Sequence, residues 1–237
     1  MMSGVPSYEQ QGVAMTCRSF EEYVRMFAIN QDALSKGPIL DVAAGASSFV
    51  AEASARGYKA IAADPMYKLD HELIMRRGTQ EIEVSTAKLA KLQEHFDWTY
   101  YVDINNHQSI REASLSRFVQ DYREAGQSQS RYIAAELPEL PFPSDSFELV
   151  FCSHFLFLYG DQFDYPFHKR SILELIRVCR NGGKVLVYPL KTLGLVGYPQ
   201  LAELLDELFA VGVAARVIPS GLPFIPGSTE LLALTKM

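Results

Sequence analysis

The stretch PILDVAAGASSFVAEASARGYKAIAADP, residues 38–65, decides the fold. Its opening, Pro38-Ile39-Leu40-Asp41-Val42, is a short apolar run of the kind that forms a strand buried on both faces. The small residues Ala43-Ala44-Gly45-Ala46-Ser47 then make a turn. Alanine-rich SFVAEASARGY follows with helical character, and Gly57 is suited to end the helix. A second apolar run, KAIAA, closes at Asp64-Pro65. Strand, turn, helix and strand in this order form a βαβ unit with a parallel pair and a right-handed crossover.

Outward from this unit the alternation continues. Residues 19–35, SFEEYVRMFAINQDALS, predict a helix with a serine cap, stopped by Gly37-Pro38. After a long break the chain returns to strand-like RYIAAELPEL and then FELVFCS. A helix over HKRSILELIRVCR, closed by Asn181-Gly182-Gly183, leads to the strand KVLVYPL. The helix PQLAELLDELFAVG and the strands ARVIPS and ELLALTKM finish the chain, the last two joined closely enough to be antiparallel. The fold class expected is α/β: a Rossmann-like open sheet, mostly parallel with an antiparallel C-terminal strand, and helices on both faces. The break, residues 68–128, is charged and helical and too long for an ordinary strand-to-helix connection. It reads as a helical insertion or lid within a single domain of residues 1–237, or alternatively as a crossover helix with a disordered extension around GQSQS. Its aromatic cluster, Phe96, Trp98, Tyr100 and Tyr101, suits either a cap over an apolar ligand or the insertion's own core.

Composition bounds the function. The 237 residues hold 48% hydrophobic and 21% charged side chains, which is globular rather than disordered. With 22 Lys+Arg against 28 Asp+Glu, the net charge of −6 offers no basic stripe for nucleic acid. Cys17, Cys152 and Cys179 form no Cys-x-x-Cys pair, so neither a metal site nor a disulfide framework is expected, and Cys152 reads as a buried small hydrophobe. The absence of a signal-like start and of a long apolar run predicts a cytoplasmic location with no membrane partner.

Ligands of open α/β sheets bind beyond the carboxyl ends of the strands. Here those ends carry the Asp41–Ser47 turn, Asp64, Glu136-Leu137 and Ser153-His154. The turn lets a ligand approach the backbone, and Asp64, ending the second strand, suits a ribose diol because its carboxylate accepts two hydroxyl hydrogen bonds. Further matches follow in order: Leu140-Pro141-Phe142, Ser146-Phe147-Glu148, and LIRVCRNGGKVLVYP over residues 175–189.

On these residues the chain resembles the class I S-adenosylmethionine-dependent methyltransferases, in the branch called methyltransferase type 11, over roughly residues 37–190 apart from the insertion. The resemblance implies S-adenosyl-L-methionine as cofactor. It also implies that Asp41, Ala43, Ala44, Gly45 and Ser47 pack on its methionine part, and that Asp64 binds the ribose. Pro65 and Met66 would lie beside the adenine, Glu136 would accept from the adenine amino group, and the Leu137 N–H would serve the ring. Ser153 would lie near the methionine moiety. The family's Gly-x-Gly-x-Gly turn is here Ala43-Ala44-Gly45-Ala46-Ser47, and an alanine in place of the first glycine is expected to keep ordinary negative φ.

The function expected is methyl transfer to a small-molecule acceptor by in-line displacement, the cofactor carrying the hard chemistry. His154 is the candidate catalytic base, with a loop-bound structural histidine as the alternative, and His107 and His168 are weaker candidates. Tyr67 and Tyr159 are candidates for lining the substrate pocket. The competing classes are a non-catalytic cofactor-binding or interaction module of the same fold, and a nicotinamide-dependent oxidoreductase, which the missing Gly-x-Gly-x-x-Gly disfavours.

Overall fold

The computed structural model describes residues 10, 12–125 and 131–236. The first half of the chain forms α1 (Phe20–Met26), α2 (Gln31–Ser35), β1 (Ile39–Val42), α3 (Phe49–Ala55), β2 (Ala60–Ala63), α4 (His71–Ala90) and α5 (Ile104–Ala125). The second half forms β3 (Tyr132–Ile133), β4 (Phe147–Ser153), α6 (Tyr165–Val178), β5 (Cys179–Tyr188), α7 (Leu201–Ala210), β6 (Val213–Pro219) and β7 (Glu230–Lys236). The strands make a seven-stranded sheet in the order β3-β2-β1-β4-β5-β7-β6. Every pairing is parallel except those of β7, which runs antiparallel to both β5 and β6. The chain steps outward from β1 to β3 and then returns to place β4 on the other side of β1. The crevice at that reversal is where an open sheet takes its ligand.

Strand alternation divides the core into two layers. Ile39, Leu149, Phe151, Leu186 and Tyr188 face the layer containing α1 to α5. Leu40, Val42, Val150, Cys152, Val185 and Val187 face α6 and α7. Phe151 anchors the first layer, with Phe27 stacked on it at 4.8 Å between ring centroids and Tyr23 and Phe49 meeting it edge-on. Cys152 is fully buried, as a small hydrophobe in a central strand should be.

Several local readings shift. The helix expected over residues 19–35 begins as read, with a Ser19–Glu22 capping box, but breaks after Met26. Ala28 takes φ 49, and the Asn30 side chain accepts from the Ala33 N–H to start α2. An asparagine offering its own cap competes with helix continuation, and here it wins. The strand read over RYIAAELPEL contracts to Tyr132–Ile133, an edge strand with one neighbour, while Glu136 and Glu139 close a small bridge of their own. Asn181-Gly182-Gly183 lie inside β5, where the register with β4 slips, rather than closing α6.

The long helical segment divides in two. α5 belongs to the layer under the sheet: Ser114 Oγ lies 3.1 Å from Ser48 Oγ and accepts from the Ser48 N–H, and Leu115 and Phe118 are buried. It fits the crossover-helix reading, carrying the chain from β2 to β3. α4 is the added element, pressed against α5 at Gly78, where a Cβ would fall 2.6 Å from a Leu115 methyl. Residues 126–128, and the GQSQS stretch, lie outside the described residues. The aromatic cluster is more than the segment's own core. Phe96, Trp98 and Tyr101 each pack on Phe224 of the β6–β7 loop, at 5.0, 5.2 and 4.8 Å between centroids. Among the described residues, no helix is long and apolar enough to cross a membrane.

Candidate functional site

The turn after β1 is held from three sides. Gly45 donates its N–H to Asp64 Oδ2 at 2.9 Å, and the Tyr67 hydroxyl donates to the Gly45 carbonyl at 2.9 Å. Gly45 has φ +57, and a Cβ there would lie 2.8 Å from the Thr16 carbonyl oxygen. This explains why one glycine of the turn is retained: the N-terminal segment crosses directly over it. Ala43 departs from expectation. Its φ is 54, so the alanine adopts the left-handed conformation that glycine takes freely, at a cost of about 1–2 kcal/mol.

A cleft of about 660 Å³ opens beside this turn. Ala43, Gly45, Asp64, Pro65, Met66, Glu136 and Leu137 all line it, so three strand ends converge as read from the sequence. Asp64 is half-buried, and burial raises its carboxyl above the usual aspartate value while the Met66 and Gly45 N–H groups pull it back. Glu136 is exposed at the rim. α4 contributes Arg77, Gln80, Glu81, Val84 and Lys88 to the opposite wall.

Five of the predicted cofactor- and substrate-site residues line neither this cleft nor the second cavity described below. Asp41 lies fully buried in β1, and neither carboxylate oxygen has a hydrogen-bond partner among the described residues. Burial holds its carboxyl well above the ordinary range, with Tyr23 beside it opposing the rise. Ala44 is packed into the core. Ser47 Oγ is engaged with the main chain, donating to the Arg18 carbonyl at 2.7 Å and accepting from the Phe49 N–H. Ser153 is buried beside Met26. Tyr67 lines neither cavity; its ring packs among Phe118, Tyr122 and Tyr132 while its hydroxyl supports the turn.

A second cavity, of about 140 Å³, lies between the Ala14–Arg18 segment, α4, α5 and the end of β4. Ala14, Met15 and Glu81 border both cavities. Tyr159 and His154 line the second one, and the Tyr159 hydroxyl accepts the Ala14 N–H at 2.8 Å. His154 follows β4 directly, at φ 53. Its Nδ1 is 2.8 Å from Ser153 Oγ, whose hydroxyl donates to Met26 Sδ at 3.7 Å. The Ser153 hydroxyl thus bridges the imidazole and the Met26 thioether, which fixes the ring at the cavity wall. Burial, reinforced by Arg18 and Arg111, pushes the His154 pKa well below the usual imidazole value, so the ring is neutral. His107 also lines this cavity, and burial lowers its pKa to about 3. His168 does not; its ring bonds to the Asp164 and Leu156 carbonyls.

The sequence did not point to the polar cluster in this wall. Glu22 Oε1 accepts from Tyr101 at 2.6 Å, from Arg18 Nη1 at 3.2 Å and from Arg111 Nη2. Arg111 Nη1 also donates to the Cys17 carbonyl. The one local sign was Ser19 three residues before Glu22, which marks a helix cap and says nothing of arginines elsewhere.

Comparison with known proteins gives two kinds of match. A family model described as a methyltransferase domain matches residues 100–187, which span α5 through most of β5. The protein MJ0045 of Methanocaldococcus jannaschii is 31% identical over 220 residues, covering 92% of this chain and 94% of that protein. Among solved structures, the PH0226 protein of Pyrococcus horikoshii aligns at 12% identity and TM-score 0.47, covering 92% of this chain and 88% of its own. A SAM dependent methyltransferase from Aquifex aeolicus aligns at 12% identity and TM-score 0.44, covering 90% of each chain.

Proposed function

The chain belongs to one family with MJ0045 and matches a methyltransferase domain over residues 100–187, and from that premise we propose that it is a class I S-adenosylmethionine-dependent methyltransferase that methylates a small molecule held in the 140 Å³ cavity, with the cofactor in the 660 Å³ cleft. The observation that carries this reading is the common border, where Ala14, Met15 and Glu81 face both spaces. Bound S-adenosylmethionine supplies a methyl group already activated by the sulfonium charge.

The cleft residues fit that cofactor. Its volume lies within the range of small-ligand sites. Asp64 spends one lone pair of each oxygen on a backbone N–H and keeps the others for the ribose hydroxyls. Pro65, Met66 and Leu137 offer apolar surface to the adenine, and Glu136 offers an acceptor at the rim.

His154 is the base in this reading. Its Nε2 takes the acceptor's proton, while the contact between Nδ1 and the Ser153 hydroxyl holds the ring in place. Tyr159 positions the Ala14–Thr16 segment that separates the two cavities. α4 walls both spaces, so it acts as the lid that excludes water when both are filled.

Calorimetry tests the reading. S-adenosylhomocysteine should bind and NAD should not, and a labelled methyl donor should pass label to a molecule in a metabolite screen. No heat with S-adenosylhomocysteine at millimolar concentration sinks the cofactor assignment.

A further inference from the structure

The balance of charge in the acceptor cavity identifies the class of molecule it takes. Arg18 and Arg111 both line the cavity, with side chains only 10% and 7% exposed. Arginine does not give up its proton in proteins. Two fixed positive charges therefore stand in this wall, and the carboxylate they share is Glu22. Its other oxygen, Oε2, is occupied by the Ser19 N–H and hydroxyl. Among the described residues both guanidinium Nε atoms are buried without a hydrogen-bond partner, and Arg18 donates from Nη1 alone.

Among the described residues of the wall one other carboxylate stands in addition to Glu22: Glu81, at the far border and away from the two guanidinium groups. His107 and His154 are neutral, and burial pushes the Cys17 thiol up to about 12. Glu81 is drawn toward its neutral form by burial and faces Lys88. A cluster that served only to tie α1 to α5 would need one arginine for one glutamate. Much of the rest of the wall is apolar, with Ile82, Leu89, Phe96, Leu158 and Phe224, interrupted by Thr16, Ser85 and Tyr159. A volume of about 140 Å³ is close to that of the engineered ~150 Å³ cavity that holds benzene.

We propose that the methyl acceptor is a small monocarboxylate with an apolar body about the size of one aromatic ring, and that Arg18 and Arg111 bind its carboxylate. This rests on the reading of the 140 Å³ cavity as the acceptor site. The carboxylate completes the charge pairing begun by Glu22, and its geometry matches the planar guanidinium fork. The same pairing brings the acceptor alongside His154, whose pKa both arginines depress.

The probes are benzoate and its neutral isostere benzamide, titrated into the full-length protein with and without saturating S-adenosylhomocysteine. Trp98, the single tryptophan, packs on Phe224 and His107 of the cavity wall and reports occupancy by fluorescence. Benzoate should bind at least about tenfold more tightly than benzamide, the range of one charge-assisted hydrogen bond. In Arg18→Gln the ratio should fall to within about threefold. Equal wild-type affinities, no binding of either probe, or an undiminished ratio in Arg18→Gln would overturn the proposal. If Arg18→Gln does not fold, the wild-type ratio decides by itself. A benzoate preference without S-adenosylhomocysteine binding upholds the anion site and removes the methyltransferase reading; the reverse result removes the anion site alone.

Discussion

Asp64 Oδ2 accepts the Gly45 N–H at 2.9 Å, so the end of β2 holds the turn that follows β1. The second oxygen accepts the Met66 N–H, also at 2.9 Å, and starts the short helical turn beyond. One carboxylate thus shapes both walls of the cleft and still has lone pairs facing it. Asp64→Ala should weaken S-adenosylhomocysteine binding by about 10- to 100-fold, the scale of hydrogen bonds to a charged group. Asp64→Asn, which keeps one acceptor oxygen, should fall between. Calorimetry on variants with native circular dichroism checks this. Unchanged affinity in Asp64→Ala removes the ribose assignment.

Ala43 should be improvable. Its φ of 54 strains an alanine by about 1–2 kcal/mol, whereas glycine adopts that conformation freely and loses about 0.5–1 kcal/mol of unfolded-chain entropy instead. Ala43→Gly should therefore stabilise the protein by roughly 0.5–1 kcal/mol in urea titrations. A loss of stability of that size would show that the alanine methyl has a packing role outweighing its backbone strain.

What could be read from the sequence follows from the same physics. β1, β2 and β4 are central parallel strands buried on both faces, so they appear as unbroken apolar runs, and their ends must meet at one edge of the sheet. That is why Asp64, Glu136 and the turn at Gly45 could be brought together without coordinates. The conformation of Ala43 could not, because a glycine-to-alanine change suggests relaxed backbone and here conceals a strained one. α5 looked surplus because an amphipathic helix has the same pattern whether it covers a sheet or another helix. The Glu22–Arg111 pair joins residues 89 positions apart, and Arg18 meets Tyr101 across 83. No local pattern encodes such a meeting.

The buried histidines set the response to acid. His107 has a pKa near 3, against an ordinary value of about 6.5 in the unfolded chain. Its neutral burial contributes fully above the unfolded pKa and is lost as pH falls below it, because unfolding then takes up a proton. The slope is ~1.4 kcal/mol per pH unit, or about 2 kcal/mol between pH 7 and pH 5. Asp41, Asp64 and Glu81 oppose it, since their raised carboxyls bind protons more readily in the folded state. His107→Gln isolates the imidazole. On moving from pH 7 to pH 5, wild type should lose about 2 kcal/mol more than the variant in parallel urea titrations. Parallel pH profiles contradict a neutral His107.

Glu22 is the residue whose loss the core should tolerate least. It is wholly buried, accepts from Arg18, Tyr101 and Arg111 through one oxygen, and closes the α1 cap through the other. Glu22→Gln keeps the shape and removes the charge, leaving two buried guanidinium groups with no carboxylate. Breaking a buried pair in this way costs about 3–5 kcal/mol. Replacing Arg18 as well removes one of the two stranded charges, so the double variant Glu22→Gln/Arg18→Met should be less unstable than the sum of the single changes. A double-mutant cycle in urea should give a coupling of at least about 1 kcal/mol, as residues of one buried network do. Simple additivity, together with a cost below about 1 kcal/mol for Glu22→Gln, would mean that water already screens these charges. The cavity wall would then carry no surplus positive charge for an acceptor to meet.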